Sequence, residues 1–440
     1  MSDMHTEIRR QGLPGHLAWY LLGVVLIANV LSYVDRQILT LLVAPIRADL
    51  GISDTQLSLL HGLAFTVLYS VLGIPLGRYA DRHNRKRLIF WGIVIWSAMT
   101  VACGLANSYF ELFAARVGVG IGEATLAPAA YSMICDAFDK SRRGTALGVY
   151  SSGIFLGIGS SIAIGGTVLA SLRGAKEVVL PIIGSVHTWQ AAFIYVGMPG
   201  FLMALLLLTV KEPVRDNAVP AGGPELDQTL GYFRQHRALF AMVLLGYALI
   251  ALAAYGTGSW MPTVLMRLYG WTPPQAGINY GLAVTIMGTI GGVAGGYLGD
   301  RWLRMGRADS RLWLTIVAVL AWLPLAYAGM RASDAYSTLY LMGGAVAFSS
   351  WANGLGPTAI QDLVPGALRG QATAIFFFVI NMIGLGIGPT VVALVNDHVY
   401  ADEKALPLSI LSVGIPAMLL GIALLYLARA RYRAVSHNLR

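Results

Sequence analysis

Asp35, Arg116 and Glu123 are charges in the wrong solvent: each falls inside a stretch of chain otherwise apolar enough to cross a bilayer. A charge at bilayer depth costs at least roughly 2.5 to 3.5 kcal/mol on insertion scales, so a chain that keeps several of them is expected to use them. The chemistry open to these types is proton exchange on the carboxylates and anion binding or charge neutralisation on the guanidinium. Arg116 and Glu123 are seven residues apart, two helical turns, so they project from nearly one face about 10 Å apart along the axis. That is too far for them to pair with each other, and each needs another partner. The intervening Gly118, Gly120 and Gly122 thin that side of the helix and leave room for a neighbouring helix or a cavity. Arg36 points about 100° away from Asp35 around its helix; it serves a gate, or pairs with a loop or neighbouring backbone.

Elements that span a bilayer must position these residues. Hydrophobic residues make up 56% of the 440, only 12% are charged and mean hydropathy is +0.64, far from a soluble domain. Apolar windows near 17–45, 56–80, 88–107, 110–135, 143–170, 190–210, 238–267, 276–299, 311–330, 336–362, 370–396 and 406–428 predict twelve transmembrane helices in an all-α membrane protein. The first window is too long and too polar for a cleavable signal and reads as an uncleaved span. Of the 31 Lys and Arg residues, 23 fall in the tails and even-to-odd loops against 6 in the opposite loops. Basic residues are retained in the cytoplasm, so both termini are expected there. The same short basic loops explain the net charge of +9 by proximity to anionic headgroups, with no nucleic-acid partner. Cys103 and Cys135 read as packing residues, and His61 as a satisfied or cavity-facing imidazole. No metal site, no cofactor and no set of nucleophile, base and oxyanion donors emerges, so an enzyme is not expected.

The chain repeats itself. GISDTQLS at 51–58 matches GWTPPQAG at 270–277, and GRYADR at 77–82 matches GYLGDR at 296–301, both at an offset of about 219 residues. In the first pair, Ser53 and Thr272 are each followed three positions later by Gln, the capping-box pattern of a helix start. Ile134, Asp136, Arg143 and Gly144 match Ile360, Asp362, Arg369 and Gly370 at an offset of about 226. Two pseudo-symmetric six-helix halves are therefore predicted: an N-terminal bundle over 17–210 after a cytoplasmic tail 1–16, and a C-terminal bundle over 237–430 before a tail 431–440. A polar, Pro/Gly-bearing linker at 211–236 joins them.

On these repeats and on the loop Gly77-RYA-Asp81-Arg82-His83-Asn84-Arg85-Lys86-Arg87, the chain resembles the major facilitator superfamily. The resemblance implies a latch in which Asp81, Arg82 and Arg85 touch the start of the eleventh helix near Arg369, with Arg143, Asp300 and Arg301 at the equivalent loops. The glycine-rich stretch Gly153, Gly157, Gly159, Gly165 and Gly166 looks like the family's pliable fifth helix, without the Gly-Pro pair of its antiporters. SYVDRQ at 32–37, DRHNRKRL at 81–88 and RVGVGIGEA at 116–124 together resemble the spinster branch, associated with export of lysolipids and sphingosine phosphate. This likeness fades in the C-terminal half.

In that fold the first and fourth helices are neighbours, which makes Asp35 the expected partner of Arg116, or a sharer of one proton site with Glu123. Two carboxylates close together in a low dielectric do not both ionise cheaply, so at least one is expected to exchange protons. Protonation of Asp35 and Glu123 would drive the inward/outward switch, while Arg116 binds an anionic headgroup or restrains the acids. Tyr247, Tyr255, Trp260, Asn279, Tyr280, Trp351, Asn353 and Asn381 are the C-terminal candidates for a cavity wall. The reading is a monomeric, proton-coupled secondary transporter of the inner membrane, exporting an amphiphilic organic anion such as a lysolipid by alternating access. The alternatives are a proton-coupled uptake symporter of a small organic acid and an uncoupled lipid facilitator.

Overall fold

The computed structural model of the chain describes residues 13–138, 140–171, 177–181, 184–214, 226–365 and 368–438. Nearly all of these are helical, as they must be in lipid, where a backbone donor or acceptor finds no water and has to be satisfied within its own segment. Among the described residues nine helices are long and apolar enough to cross a membrane: Gly15–Leu41, Asp54–Gly73, Arg85–Cys103, Thr188–Leu208, Arg237–Tyr269, Pro273–Arg304, Ser310–Met330, Arg369–Tyr400 and Glu403–His437. The three other stretches expected to span are also helical, as Tyr109–Glu123 with Leu126–Ala137, Lys140–Ser171 and Ala335–Gln361, but they fall outside those nine.

Several boundaries differ from expectation. The first helix ends at Leu41, a separate helix runs Val43–Leu50, and the window 110–135 breaks after Glu123. The β structure among the described residues is a short antiparallel ribbon in which Glu177–Leu180 pairs with Gly184–His187. Its β-branched Val178, Val179 and Val186 favour an extended chain. Both predicted capping boxes form. Ser53 Oγ accepts from the Gln56 amide at 3.1 Å while Gln56 Oε1 accepts from the Ser53 amide at 3.0 Å. Thr272 and Gln275 repeat the exchange at 3.4 and 3.1 Å.

Packing divides the chain into two compact units. One holds the described residues up to Ile38 and those from Val67 to the linker. The other holds Leu39–Thr66 with the C-terminal helices. In the first unit, helix Arg85–Cys103 lies against Tyr109–Glu123 and Thr188–Leu208. Close approach is possible because Gly92 and Gly122 face each other: a Cβ on Gly122 would stand 2.8 Å from the Gly92 carbonyl oxygen and 2.6 Å from the Trp96 nitrogen. The thin side of the charged helix is thus filled by a neighbouring helix.

In the second unit, helix Arg237–Tyr269 packs along Leu406–Asn438, and Ala335–Gln361 lies against both Pro273–Arg304 and Ser310–Met330. The segment 39–66 joins this unit through helix Asp54–His61, which rests on Gly388–Val395. Its tightest point is Gly62, where a Cβ would meet the Gly386 and Leu385 carbonyl oxygens at 2.7 and 2.9 Å. Opposite it, the chain winds as a π-helix over Asn381–Ile387, a geometry that is rare and recurs at functional sites.

Candidate functional site

Asp35 and Arg36 are carried by helix Gly15–Leu41, and Arg116 and Glu123 by helix Tyr109–Glu123. Ser108 starts the second of these, its hydroxyl accepting from the Glu111 amide at 3.3 Å. Glu123 is its last residue, just before Thr125 turns its hydroxyl onto the Gly122 carbonyl at 2.8 Å. Asp35, Arg116 and Glu123 are 3%, 0% and 1% exposed, and Asp35 lies within electrostatic reach of Glu123, Arg116 and Arg36 and beside Thr100. The structure therefore gathers Asp35, Arg36, Arg116 and Glu123 into one largely buried cluster.

The pairing within it is specific. Arg36 holds Glu123, with Nη2 at 2.5 Å from Oε2. The guanidinium also sits 5.0 Å from the Tyr33 ring centroid and 4.7 Å from that of Tyr69, so two aromatic faces stabilise it besides the carboxylate. Arg116 Nη1 donates to the Asp35 backbone carbonyl at 3.0 Å, which ties the fourth expected span to the first. Of the partners Arg36 shows, Glu123 supplies the counter-ion. Elimination could have found this. The seven-residue spacing excludes Arg116 as the partner of Glu123, and Arg36 is the other cation of that half that lies well away from the ends of an apolar window. The glycine-rich helix Lys140–Ser171 closes on the same place, since a Cβ at Gly157 would fall 2.5 Å from Tyr33 Cδ2.

The C-terminal candidates do not converge in this way. Tyr247 is enclosed, hydrogen-bonded to Thr315 Oγ1 at 3.0 Å and packed on Phe376. Trp260 is buried and donates from Nε1 to the Pro389 carbonyl at 3.0 Å. Tyr280 is buried, Tyr255 lies against Gly384 and Trp351 against Gly295. Asn279 folds back on the Gln275 carbonyl, Asn353 is exposed and Asn381 opens the π-helix. Tyr247 and Tyr280 are thus enclosed by packing in this structure, whereas Trp260, though buried, lines a small cavity together with His61 and Ser259.

Of the residues expected in the latch, Arg85 and Asp300 are engaged within their own units. Arg85 is fully buried inside its own unit, where it binds Asp136, Glu212 at 3.0 Å, Ser132 Oγ at 3.0 Å and the Pro213 carbonyl at 2.8 Å. Gly77 packs near Pro128, and Arg82, Arg301 and Arg369 are exposed. The side chains of Asp81 and Arg143 lie outside the described residues. Asp300 pairs with Arg311 at 2.8 Å, and Arg311 also approaches Asp362 at 3.7 Å. Arg85 and Arg311 stand at the same offset as Asp136 and Asp362, so one arginine–aspartate pair recurs in each half, a repeat the motif comparison missed. Arg85→Ala is expected to cost about 3 to 5 kcal/mol by leaving Asp136 and Glu212 without their cation. A large drop in the thermal midpoint of the purified protein, relative to Arg82→Ala, checks this.

A second charged cluster ties segment 39–66 to the C-terminal helices. Arg267 grips Asp54 with both terminal nitrogens, at 2.7 and 2.8 Å, and Asp54 is 1% exposed. Arg47 reaches Asp54 at 3.2 Å and Glu403 at 2.7 Å. Thr55 adds its amide and hydroxyl to Asp397, each at 2.8 Å. Deeper in the same interface, His61 Nε2 lies 3.0 Å from Ser259 Oγ beside a cavity of about 10 Å³, the space of about one water. Sequence reasoning singled out His61 but none of these ion-pair residues, which stand at helix ends where charges also serve topology.

Comparison with known proteins adds a context. Residues 25–389 match the Major Facilitator Superfamily. An MFS-type efflux pump of Mycolicibacterium smegmatis is 32% identical over 424 residues, 94% of each chain. The hexuronate transporter of Bacillus subtilis is 26% identical, over 84% of this chain and 86% of its own. The mouse sphingosine-1-phosphate transporter SPNS2 is also 26% identical, over 90% and 73%. The crystal structure of a bacterial homolog to the human lysosomal transporter spinster, inward-facing and unoccupied, superposes with a TM-score of 0.76 at 27% identity, covering 97% of this chain and 98% of the other.

Proposed function

The chain belongs to the major facilitator superfamily and is a transporter rather than an enzyme; from that premise we propose that it moves an amphiphilic organic anion by alternating access, with Asp35 and Glu123 carrying the coupled protons. The observation that supports this reading is the Arg36–Glu123 pair beside buried Asp35 and Arg116. Buried ion pairs stabilise a fold poorly compared with apolar packing, so such a cluster is better explained by work than by stability. Protonating Glu123 would cancel its hold on Arg36 while Tyr33 and Tyr69 keep the guanidinium in place. Arg36 would then be ready for an anionic headgroup.

Alternating access also needs contacts that break. Segment 39–66 belongs to the first half by sequence repeat yet packs with the C-terminal helices, held by Asp54, Arg267, Arg47 and Glu403. We read this cluster as a gate that opens once per cycle.

The likeness to an efflux pump and to spinster proteins supports outward transport, of a lysolipid or sphingolipid-like molecule, in exchange for protons across an inner membrane with both termini cytoplasmic. A second reading rests on the geometry of the pair. An anion that takes Arg36 from Glu123 leaves a buried carboxylate alone, which favours its protonation, so anion and proton would travel together as in an uptake symporter of an organic acid. Flux of labelled lysophospholipid and of labelled hexuronate into proteoliposomes under an imposed pH gradient separates the two. Exchange predicts that the lysolipid moves against the proton. Movement of either compound in the same direction as the proton supports the symporter instead, and flux of both indifferent to the gradient contradicts coupling.

A further inference from the structure

Where helix Leu63–Arg82 turns into helix Arg85–Cys103, the two leave a groove of about 410 Å³ lined by Leu76, Tyr79, His83, Asn84, Arg87, Leu88 and Trp91. Its floor is fixed: the His83 ring stacks on Tyr79 at 3.9 Å, nearly parallel, and its Nδ1 bonds the Tyr79 carbonyl at 3.2 Å. Asn84 caps the second helix by accepting from the Arg87 amide at 2.7 Å, so Arg87 starts from a set position on the first turn. The neighbouring basic residues are already engaged, Arg85 with Asp136 and Glu212, and Lys86 with the Leu208 and Val210 carbonyls. Arg87 is different. It is exposed, and among the described residues its guanidinium has no acidic partner and no carboxylate lines the groove.

We propose that this groove binds an anionic glycerophospholipid, with the headgroup phosphate on Arg87 beside His83 and the acyl chains along Leu76, Leu88 and Trp91. The charge fits, because a guanidinium presents a planar fork that matches phosphate oxygens. The surroundings specify a lipid over a free anion. The groove lies between two helices long and apolar enough to cross a membrane, after the end of Asp54–Gly73 and in the first turns of Arg85–Cys103, and Tyr79 and Trp91, 47% and 60% exposed, are rings of the kind that favour the headgroup level. The groove lies on the loop side that the positive-inside bias places in the cytoplasm, where anionic lipids also collect. This inference does not depend on what the carrier transports.

The test uses the full protein in phosphatidylcholine vesicles doped with brominated phosphatidylglycerol or brominated phosphatidylcholine. With ten tryptophans in the chain, the signal is the part of the fluorescence quenching that Trp91→Phe removes. The site predicts that this part is several-fold larger with the brominated phosphatidylglycerol, that Arg87→Gln abolishes the preference, and that Arg78→Gln, an exposed cation outside the groove, preserves it. Equal quenching by the two lipids overturns the proposal, as does equal loss in both arginine variants, which would mean surface charge alone. Displacement of the brominated lipid by soluble glycerol phosphate would assign the site to a free anion and overturn the lipid.

Discussion

Glu123→Gln is expected to give a folded carrier that has lost its response to a pH gradient, whereas Arg36→Ala is expected to damage the fold. The amide keeps the shape of the carboxylate and leaves Arg36 its contacts with Tyr33 and Tyr69, so little packing changes. Arg36→Ala instead strands a carboxylate that is 1% exposed, a loss of about 3 to 5 kcal/mol when one partner of a buried pair is removed. Arg36→Lys falls between, since an ammonium keeps the charge but not the fork or the ring contacts. Transport gives the second readout. With one proton per cycle, a gradient of about one pH unit supports a substrate ratio of about tenfold, the equivalent of about 1.4 kcal/mol. Glu123→Gln, and Asp35→Asn for the same reason, should reduce that ratio to unity. Unchanged accumulation by both amides would mean that the carboxylates serve only to neutralise the arginines.

The second large effect is expected at Asp54. Two arginines converge on this carboxylate, and Asp54→Ala removes the bidentate grip of Arg267 together with the contact from Arg47, a loss of about 3 to 5 kcal/mol in the hold on segment 39–66. Ser58, 1% exposed one turn further on, reports the release. In a background with Cys103 and Cys135 replaced, a cysteine introduced at Ser58 should react with a water-soluble maleimide at least about tenfold faster once Asp54 is alanine, since about 1.4 kcal/mol already gives a factor of ten. The exchanged pair Asp54→Arg with Arg267→Asp should restore part of the protection, although Arg47 then faces a like charge. Labelling that ignores both changes would show that apolar contacts and the Gly62 approach, rather than the ion pairs, hold the segment.

How much of this was legible in the residues depends on which forces decide each feature. Membrane helices are written in long apolar windows because unsatisfied backbone in lipid is so costly, and the capping boxes at Ser53 and Thr272 are local patterns that need no tertiary context. The charged cluster was legible in its members: Asp35, Glu123 and Arg116 stand out by being in the wrong solvent. Its pairing was less so. Helical spacing excluded an Arg116–Glu123 bond, but only the register between two helices decides that Arg36 reaches Glu123 while Arg116 reaches the Asp35 carbonyl.

The remaining differences have the same origin. Arg85 carries a loop motif that the resemblance read as a latch, yet two acids distant in sequence, Asp136 and Glu212, enclose it. The packing of 39–66 with the C-terminal helices was invisible because it depends on Gly62 meeting the Gly386 carbonyl and on Asp54 meeting Arg267, the latter pair 213 residues apart in sequence. Tyr247 and Trp260 look alike in sequence whether they line a cavity or fill a core, since aromatic residues serve both places.

The central claim is that Asp35 and Glu123 carry protons in step with substrate. Its most direct measurement follows protons and substrate together: proteoliposomes holding a pH-sensitive dye and no imposed gradient receive a pulse of lysophospholipid, with the wild type compared to a carrier bearing both Asp35→Asn and Glu123→Gln. The account predicts that substrate movement shifts internal pH in the wild type, and that the double variant produces no shift. A pH change of equal size in the double variant would contradict it, as would substrate flux through the wild type with no proton movement at all.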